Sequence, residues 1–245
     1  MLLQGRMDVV SPVAGSELLS KTAHVTSHPI SGSAVLEGSD SAVGGVTKRC
    51  FDVVLAATAL AILLPAFLFA AFLVWRGDRG RVLFGHTRIG RRGAPFRCLK
   101  FRSMASNAQE VLANLLASDP AAAREWAETH KLREDPRITP IGRILRVTSL
   151  DELPQLLNVL SGQMSLVGPR PIVADEVARY GTSIASYRAC RPGITGLWQV
   201  SGRSDCSYAE RVAFDAHYAA NWSLWLDLKI VARTVFVVLA RKGSC

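Results

Sequence analysis

The chain has 245 residues, 49% hydrophobic and 20% charged, and its 29 lysines and arginines against 20 acids leave a formal charge of +9. That composition excludes a wholly disordered protein and gives ample length for one buried core with an appendage. The five cysteines (Cys50, Cys98, Cys190, Cys206, Cys245) are odd in number and include no Cys-x-x-Cys pair. Neither a disulfide framework nor a structural zinc site is indicated, and a reducing, cytosol-facing location fits.

Residues 1–46 are a Ser/Gly/Val mixture with Arg6 and Lys21 against Asp8, Glu17, Glu37 and Asp40, so the positive excess lies further on. No long apolar run follows a basic start, which argues against a secretory signal. We read the segment as a disordered tail. Residues 53–75 then run without a charge. A bilayer core needs roughly 20 helical residues, so residues 47–76 are expected to be embedded in a membrane. Pro65 lies near the middle, where it removes a hydrogen bond and crowds the preceding turn. Both flanks are basic, Lys48 and Arg49 before and Arg76, Arg79 and Arg81 after, whereas a simple span favours one basic flank. A re-entrant helix broken at Pro65, with both ends on one face, satisfies both features.

Residues 77–245 read as a cytosolic domain. Short apolar runs on either side of Gly90-Arg91-Arg92-Gly93 predict a β-hairpin, with Lys100 and Arg102 two apart on one face of the second strand. Helices are expected over 107–132, interrupted at Asp119-Pro120, and over 150–160, 175–187 and 208–222. Residues 222–241 mix apolar side chains with Asp227, Lys229, Arg233 and Arg241, as in an interfacial amphipathic helix. The fold class is therefore α+β, helix-dominated, with a small hairpin.

Chemistry concentrates in Ser149-Leu150-Asp151-Glu152-Leu153-Pro154-Gln155. Ser149 with Glu152 matches a capping box; with Asp151 as cap, Pro154 falls in the first turn instead. Either way Asp151 meets the positive end of a helix, which should keep it ionised. An ionised carboxylate beside a second one can act as nucleophile and hold a divalent cation. Downstream, Gly168-Pro169-Arg170-Pro171 and Arg191-Pro192-Gly193-Ile194-Thr195-Gly196 combine close-approach glycines with phosphate-matching arginines. Together these features suggest a phosphate-rich substrate and a metal. P-loop and Rossmann signatures are absent from the sequence. His86, His130 and His217 read as surface or structural residues, Trp198, Trp222 and Trp225 as interface or core anchors, and the cysteines as packing residues.

From Lys48 onward the chain resembles the bacterial sugar transferases, the monotopic polyprenyl-phosphate phosphoglycosyl transferases. The resemblance is carried by Lys48-Arg49 with Asp52, Lys100-Phe101-Arg102-Ser103-Met104, the Ser149–Gln155 run, both Gly/Pro/Arg loops, and Gly202-Arg203. It implies transfer of a sugar 1-phosphate from a UDP-sugar to undecaprenyl phosphate, with release of UMP. Asp151 would attack the β-phosphorus and form an aspartyl phospho-sugar intermediate, and Mg²⁺ would sit by Asp151 and Glu152. Lys100, Arg102, Arg146, Arg170 and Arg203 would contact substrate or phosphate, with Asp227 also on a motif position. Lys48, Arg49, Asp52 and Pro65 would serve the membrane anchor, although the family's Ser-Pro break is Leu64-Pro65 here.

The resemblance further implies exopolysaccharide synthesis at the cytosolic face of a bacterial inner membrane, with galactose as the hexose and glucose as the alternative. Inner-membrane lipid is an expected partner, nucleic acid is not, and a homodimer is left open. A non-catalytic, membrane-anchored protein that binds anionic ligands is the competing class. Salt-dependent duplex binding without UMP release would favour it.

Overall fold

The computed structural model describes residues 41–129, 132–201 and 206–239. The expected disordered tail lies outside them except for its last residues. These belong to the fold: Ala42 is buried and the Val43 N–H donates to the Ala189 carbonyl.

Helix α1 (Gly45–Asp78) takes up the uncharged run as 34 continuous residues, about 51 Å at the ordinary helical rise. The interruption expected at Pro65 is not there: the helix passes through the proline. Packing on both sides of it supplies the reason. Before Pro65, Ala56, Ala59 and Leu60 lie against Phe96, Cys98 and Leu156; after it, Phe67, Ala70 and Val74 lie against Phe101 and Leu145. Leu153 packs on both clusters, so the two halves rest on one surface and the backbone bond lost at proline is outweighed. Residues 48, 52, 56, 60, 63, 67, 70 and 74 recur at helical spacing on the packed side. Val54, Ile62, Leu68, Phe69 and Phe72 face outward, and no protein covers them among the described residues. Length and hydropathy alone would let α1 cross a membrane.

The hairpin forms as expected, from β1 (Leu83–Ile89) and β2 (Pro95–Phe101), with Leu83 opposite Phe101 and Ile89 opposite Pro95. A one-turn 3-10 helix at Arg91–Gly93 closes it, with Arg92 at φ +59° and Gly93 at φ +79°. Helices α2 (Ala108–Ser118) and α3 (Pro120–Thr129) meet at Asp119, whose carboxylate accepts the Ala121 N–H. Next comes α4 (Pro140–Val147), capped by the Thr139 hydroxyl, with Leu145 buried and Ile144 and Val147 exposed.

The 150–160 region divides into a 3-10 turn, Leu150–Glu152, and α5 (Gln155–Leu160). The 175–187 region likewise divides into a 3-10 stretch, Ala174–Ser183, kinked at Gly181, and α6 (Ile184–Ala189). The two Gly/Pro/Arg loops contain a feature that their sequence did not announce. β3 (Ser165–Val167), which leads into the first loop, pairs in parallel with β4 (Gly193–Thr195) from the second, with Ser165 opposite Gly193. A side chain on Gly193 would collide with the Gly168 backbone, so these glycines serve close strand packing. The chain finishes with α7 (Leu197–Ser201), α8 (Tyr208–Ala220) and α9 (Leu224–Leu239). On α9, Asp227 and Ile230 face the core while Trp225, Val235 and Phe236 are exposed, as an interfacial helix requires.

Candidate active site

Asp151 and Glu152 sit on the 3-10 turn between α4 and α5, entered through Ser149 at φ +58°. The capping box does not form. The Ser149 side chain caps nothing, and the Glu152 carboxylate turns to Lys100, whose Nζ lies 2.6 Å from Glu152 Oε1 and 3.7 Å from Asp151 Oδ2. Phe96 and Cys98 are buried on the face of β2 that also carries Lys100, so the core-facing strand brings this cation to the carboxylates. Asn158 fixes the register between strand and turn: its side chain accepts the Leu99 N–H at 2.9 Å and donates to the Arg97 carbonyl at 2.8 Å. Nothing in the sequence pointed to Asn158, because only the fold places an α5 amide against the open edge of β2.

A cleft of about 1720 Å³ opens over the pair, lined by Lys100, Arg102, Arg146, Asp151, Glu152 and Arg170. Ala59 and Leu63, from the middle of α1, line it too, so the carboxylates face a cavity walled partly by the apolar helix. Asp151 is 9% exposed. Burial pushes its carboxyl above the ordinary range; Lys100 and Arg146 oppose the rise, and Glu152 adds to it. In place of the expected α-helix end the carboxylate sits on a 3-10 turn, where burial raises it and the neighbouring Lys100 favours its ionised form.

The remaining predicted residues separate. Arg146 Nε donates to Ser103 Oγ at 2.9 Å and stays at the cleft wall. Arg170 stacks over Trp198, where burial, Arg211 and Arg88 pull its guanidinium below the usual range. Arg88, Arg170 and Trp198 make a cationic wing of the cleft that the sequence reading had only in part. Arg102, although on the wall, is paired with Asp78 at the end of α1. Arg191 does not line the cleft, although its loop neighbours Gly193 and Thr195 do. Arg203 lies outside the described residues.

Two of the anchor residues are interior. Lys48 donates to Asp227 at 2.6 Å, and Asp52 accepts from the Ser165 hydroxyl and the Leu166 N–H at 3.0 Å each. Tyr218 and Trp222 complete the shell of Asp227. Arg49 donates to the Val159 and Leu160 carbonyls at the end of α5. These side chains fasten α1 to the domain, so they do not form a basic flank available to lipid headgroups.

An adjacent carboxylate pair, cations ringing an open cleft and a long apolar helix form one constellation, and residues 43–241 match the bacterial sugar transferase family. The chain belongs to that family. It is 53% identical over 202 residues to the exopolysaccharide production protein ExoY of Sinorhizobium fredii, covering 82% of this chain and 89% of the relative. It is 54% identical over 197 residues to the undecaprenyl-phosphate galactose phosphotransferase of Salmonella typhimurium, covering 80% and 41% respectively. A UDP-glucose:undecaprenyl-phosphate glucose-1-phosphate transferase of Caulobacter vibrioides is 45% identical over 196 residues, covering 77% and 68%.

Proposed function

We propose that this protein moves hexose 1-phosphate from a UDP-sugar to undecaprenyl phosphate, releasing UMP, as the first membrane step of exopolysaccharide synthesis. The observation that carries the reading is Asp151, a buried carboxylate that opens onto a cationic cleft walled by the membrane helix. A soluble anionic donor enters from water while the acceptor keeps its chain in lipid, so the reacting groups must meet where the two media touch. The cleft adjoins α1, whose exposed apolar face suits the cytosolic face of the inner membrane.

Asp151 attacks the sugar-bearing β-phosphorus and UMP leaves. The lipid phosphate then attacks the same phosphorus, the Asp151–phosphorus bond breaks, and the carboxylate is regenerated. A raised carboxyl pKa suits this role, because the ionised form is the more basic nucleophile. Lys100 holds the deprotonated state against burial, and Glu152 keeps Lys100 in place. Arg88, Arg170 and Trp198 suit the diphosphate and nucleoside end of the donor.

Asp151 and Glu152, two carboxylates that line the cleft, would hold magnesium. Among the described residues no group of three His, Cys, Asp or Glu side chains gathers, so Asp151 and Glu152 would be the protein's share. When bound, the ion neutralises diphosphate charge against the incoming carboxylate.

Galactose is the proposed hexose, supported by the relatives named for galactose at 54% identity; glucose, named for the relative at 45%, is the second reading. The test is UMP release from a panel of UDP-sugars with undecaprenyl phosphate and Mg²⁺, on wild type and Asp151→Asn. Loss of at least ~10³-fold, about 4 kcal/mol of barrier, is expected. Mass spectrometry with donor alone should place a hexose-phosphate on the peptide containing Asp151. Near-normal turnover in the variant, or no adduct, removes Asp151 from this role.

A further inference from the structure

Arg211 is a buried cation that no step of the proposed transfer uses. It stands in the first turn of α8, is 9% exposed, and does not line the cleft. One Nη donates to Glu176 at 3.3 Å, while Nε has no hydrogen-bond partner among the described residues. Its guanidinium lies 5.4 Å from the centre of the Trp198 ring and 4.5 Å from that of Tyr208. A buried, incompletely bonded charge is costly, and an apolar side chain of similar volume would fill the space at less cost. Packing alone therefore gives no reason for an arginine here.

On its inner side Arg211 is braced. Glu176 accepts the Val173 N–H at 3.0 Å and lies 3.9 Å from Arg88. Tyr208 meets Tyr180 edge to face, Tyr180 packs on Tyr187 in the same way, and the Tyr187 hydroxyl donates to the Ile89 carbonyl at 2.6 Å. Trp198 is the opposite case. It lines the cleft from α7, a helix of five residues, and its indole N–H has no hydrogen-bond partner among the described residues. No hydrogen bond turns the ring, so the guanidinium groups beside it, Arg211 at 5.4 Å and Arg170 at 5.8 Å, are the polar groups that can set its angle. Arg170 itself lines the cleft, and Arg211 is the one anchored in the interior.

We propose that Arg211 is a positioning residue for donor binding: from behind the cleft wall it fixes the Trp198 ring against which the nucleotide end of the donor rests. With the donor read as a UDP-sugar, on which this role depends, a ring already held at one angle loses less freedom when base or ribose packs on it. That saving appears as donor affinity. The charge of Arg211 bears on the same wing. Burial, and after it Arg211, depress the Arg170 guanidinium, so the two cations lie within electrostatic reach of each other. Removing Arg211 loosens the ring and lowers the positive potential that draws the diphosphate, and both effects weaken donor binding.

Steady-state UMP release by the full-length protein in detergent tests this. UDP-galactose or UDP-glucose, whichever the wild type turns over, and undecaprenyl phosphate are varied separately. Arg211→Met keeps the bulk and removes the charge; the donor KM should rise at least ~10-fold while kcat stays within about 3-fold. The KM for undecaprenyl phosphate should not move. A residue that only stabilised the fold would lower the active fraction, and so kcat, and leave the donor KM as it was. Arg211→Lys keeps the charge without the planar fork and should raise the donor KM by less, even if Arg211→Met fails to fold. Trp198→Leu should raise it too, and Arg211→Met should then add less than it costs alone. An unmoved donor KM in Arg211→Lys, or full additivity with Trp198→Leu, overturns the role. Wild type that releases no UMP from either donor overturns the proposed function and this role with it. Wild-type turnover with an unmoved donor KM in Arg211→Met overturns this role alone.

Discussion

Lys48 and Asp227 meet at 2.6 Å across 179 residues of chain, joining the first turn of the apolar helix to the last helix of the domain. Both side chains are buried, and Asp227 also accepts from the Tyr218 hydroxyl and the Trp222 indole. A fully networked buried pair contributes little net stability, yet removing one member leaves a charge with nothing to balance it. Lys48→Met should destabilise the protein by about 3–5 kcal/mol. Adding Asp227→Asn should recover part of that loss, because the residual charge goes with it. Thermal unfolding in detergent reads both changes.

Lys100 lowers the Asp151 carboxyl that burial raises. Lys100→Met should therefore slow transfer and move the acid limb of the kcat/KM profile to higher pH. Moving to lower pH would mean that the cation does not hold the carboxylate ionised. Steady-state UMP release across a pH series measures the shift.

Arg102 is paired with Asp78, which also accepts the Gly80 and Ser106 N–H groups at 3.2 Å each. This clasp ties the end of α1 to the end of β2. If Arg102 acts through it, Arg102→Gln and Asp78→Asn should cost similar activity, and the double variant little more than either. A donor KM that rises only in Arg102→Gln would return that residue to direct substrate contact.

Asp215 is 2% exposed and accepts the Tyr180 hydroxyl at 2.8 Å. Burial pushes its carboxyl from 3.8 to about 7, with Tyr180 and Arg211 opposing. Between about pH 4 and 7 the folded protein holds a proton that the unfolded chain has lost, so this group makes stability fall as pH rises through that window. Asp215→Asn should flatten the fall, as measured by melting temperature at several pH values in one buffer system.

Much of this protein is written locally. The uncharged run with its flanks fixes a long apolar helix, Gly90-Arg91-Arg92-Gly93 fixes the hairpin turn, and Asp119-Pro120 fixes the boundary between α2 and α3. In each case the decisive forces act between residues a few positions apart. The carboxylate pair and its motif are local too, so the residues of the candidate site could be named before their geometry was known.

What the sequence could not decide depends on partners distant along the chain. Pro65 breaks an isolated helix, yet here Leu153 packs against the clusters on both sides of it and the helix continues. Lys48 and Asp52 look like a membrane flank until Asp227 and Ser165 enclose them, and nothing in the sequence pairs Arg102 with Asp78. Asp151 reads as a helix-end carboxylate until the fold buries it beside Lys100. Charge, hydrogen-bonding capacity and helix propensity belong to the residue, but desolvation and pairing belong to whatever the fold brings beside it.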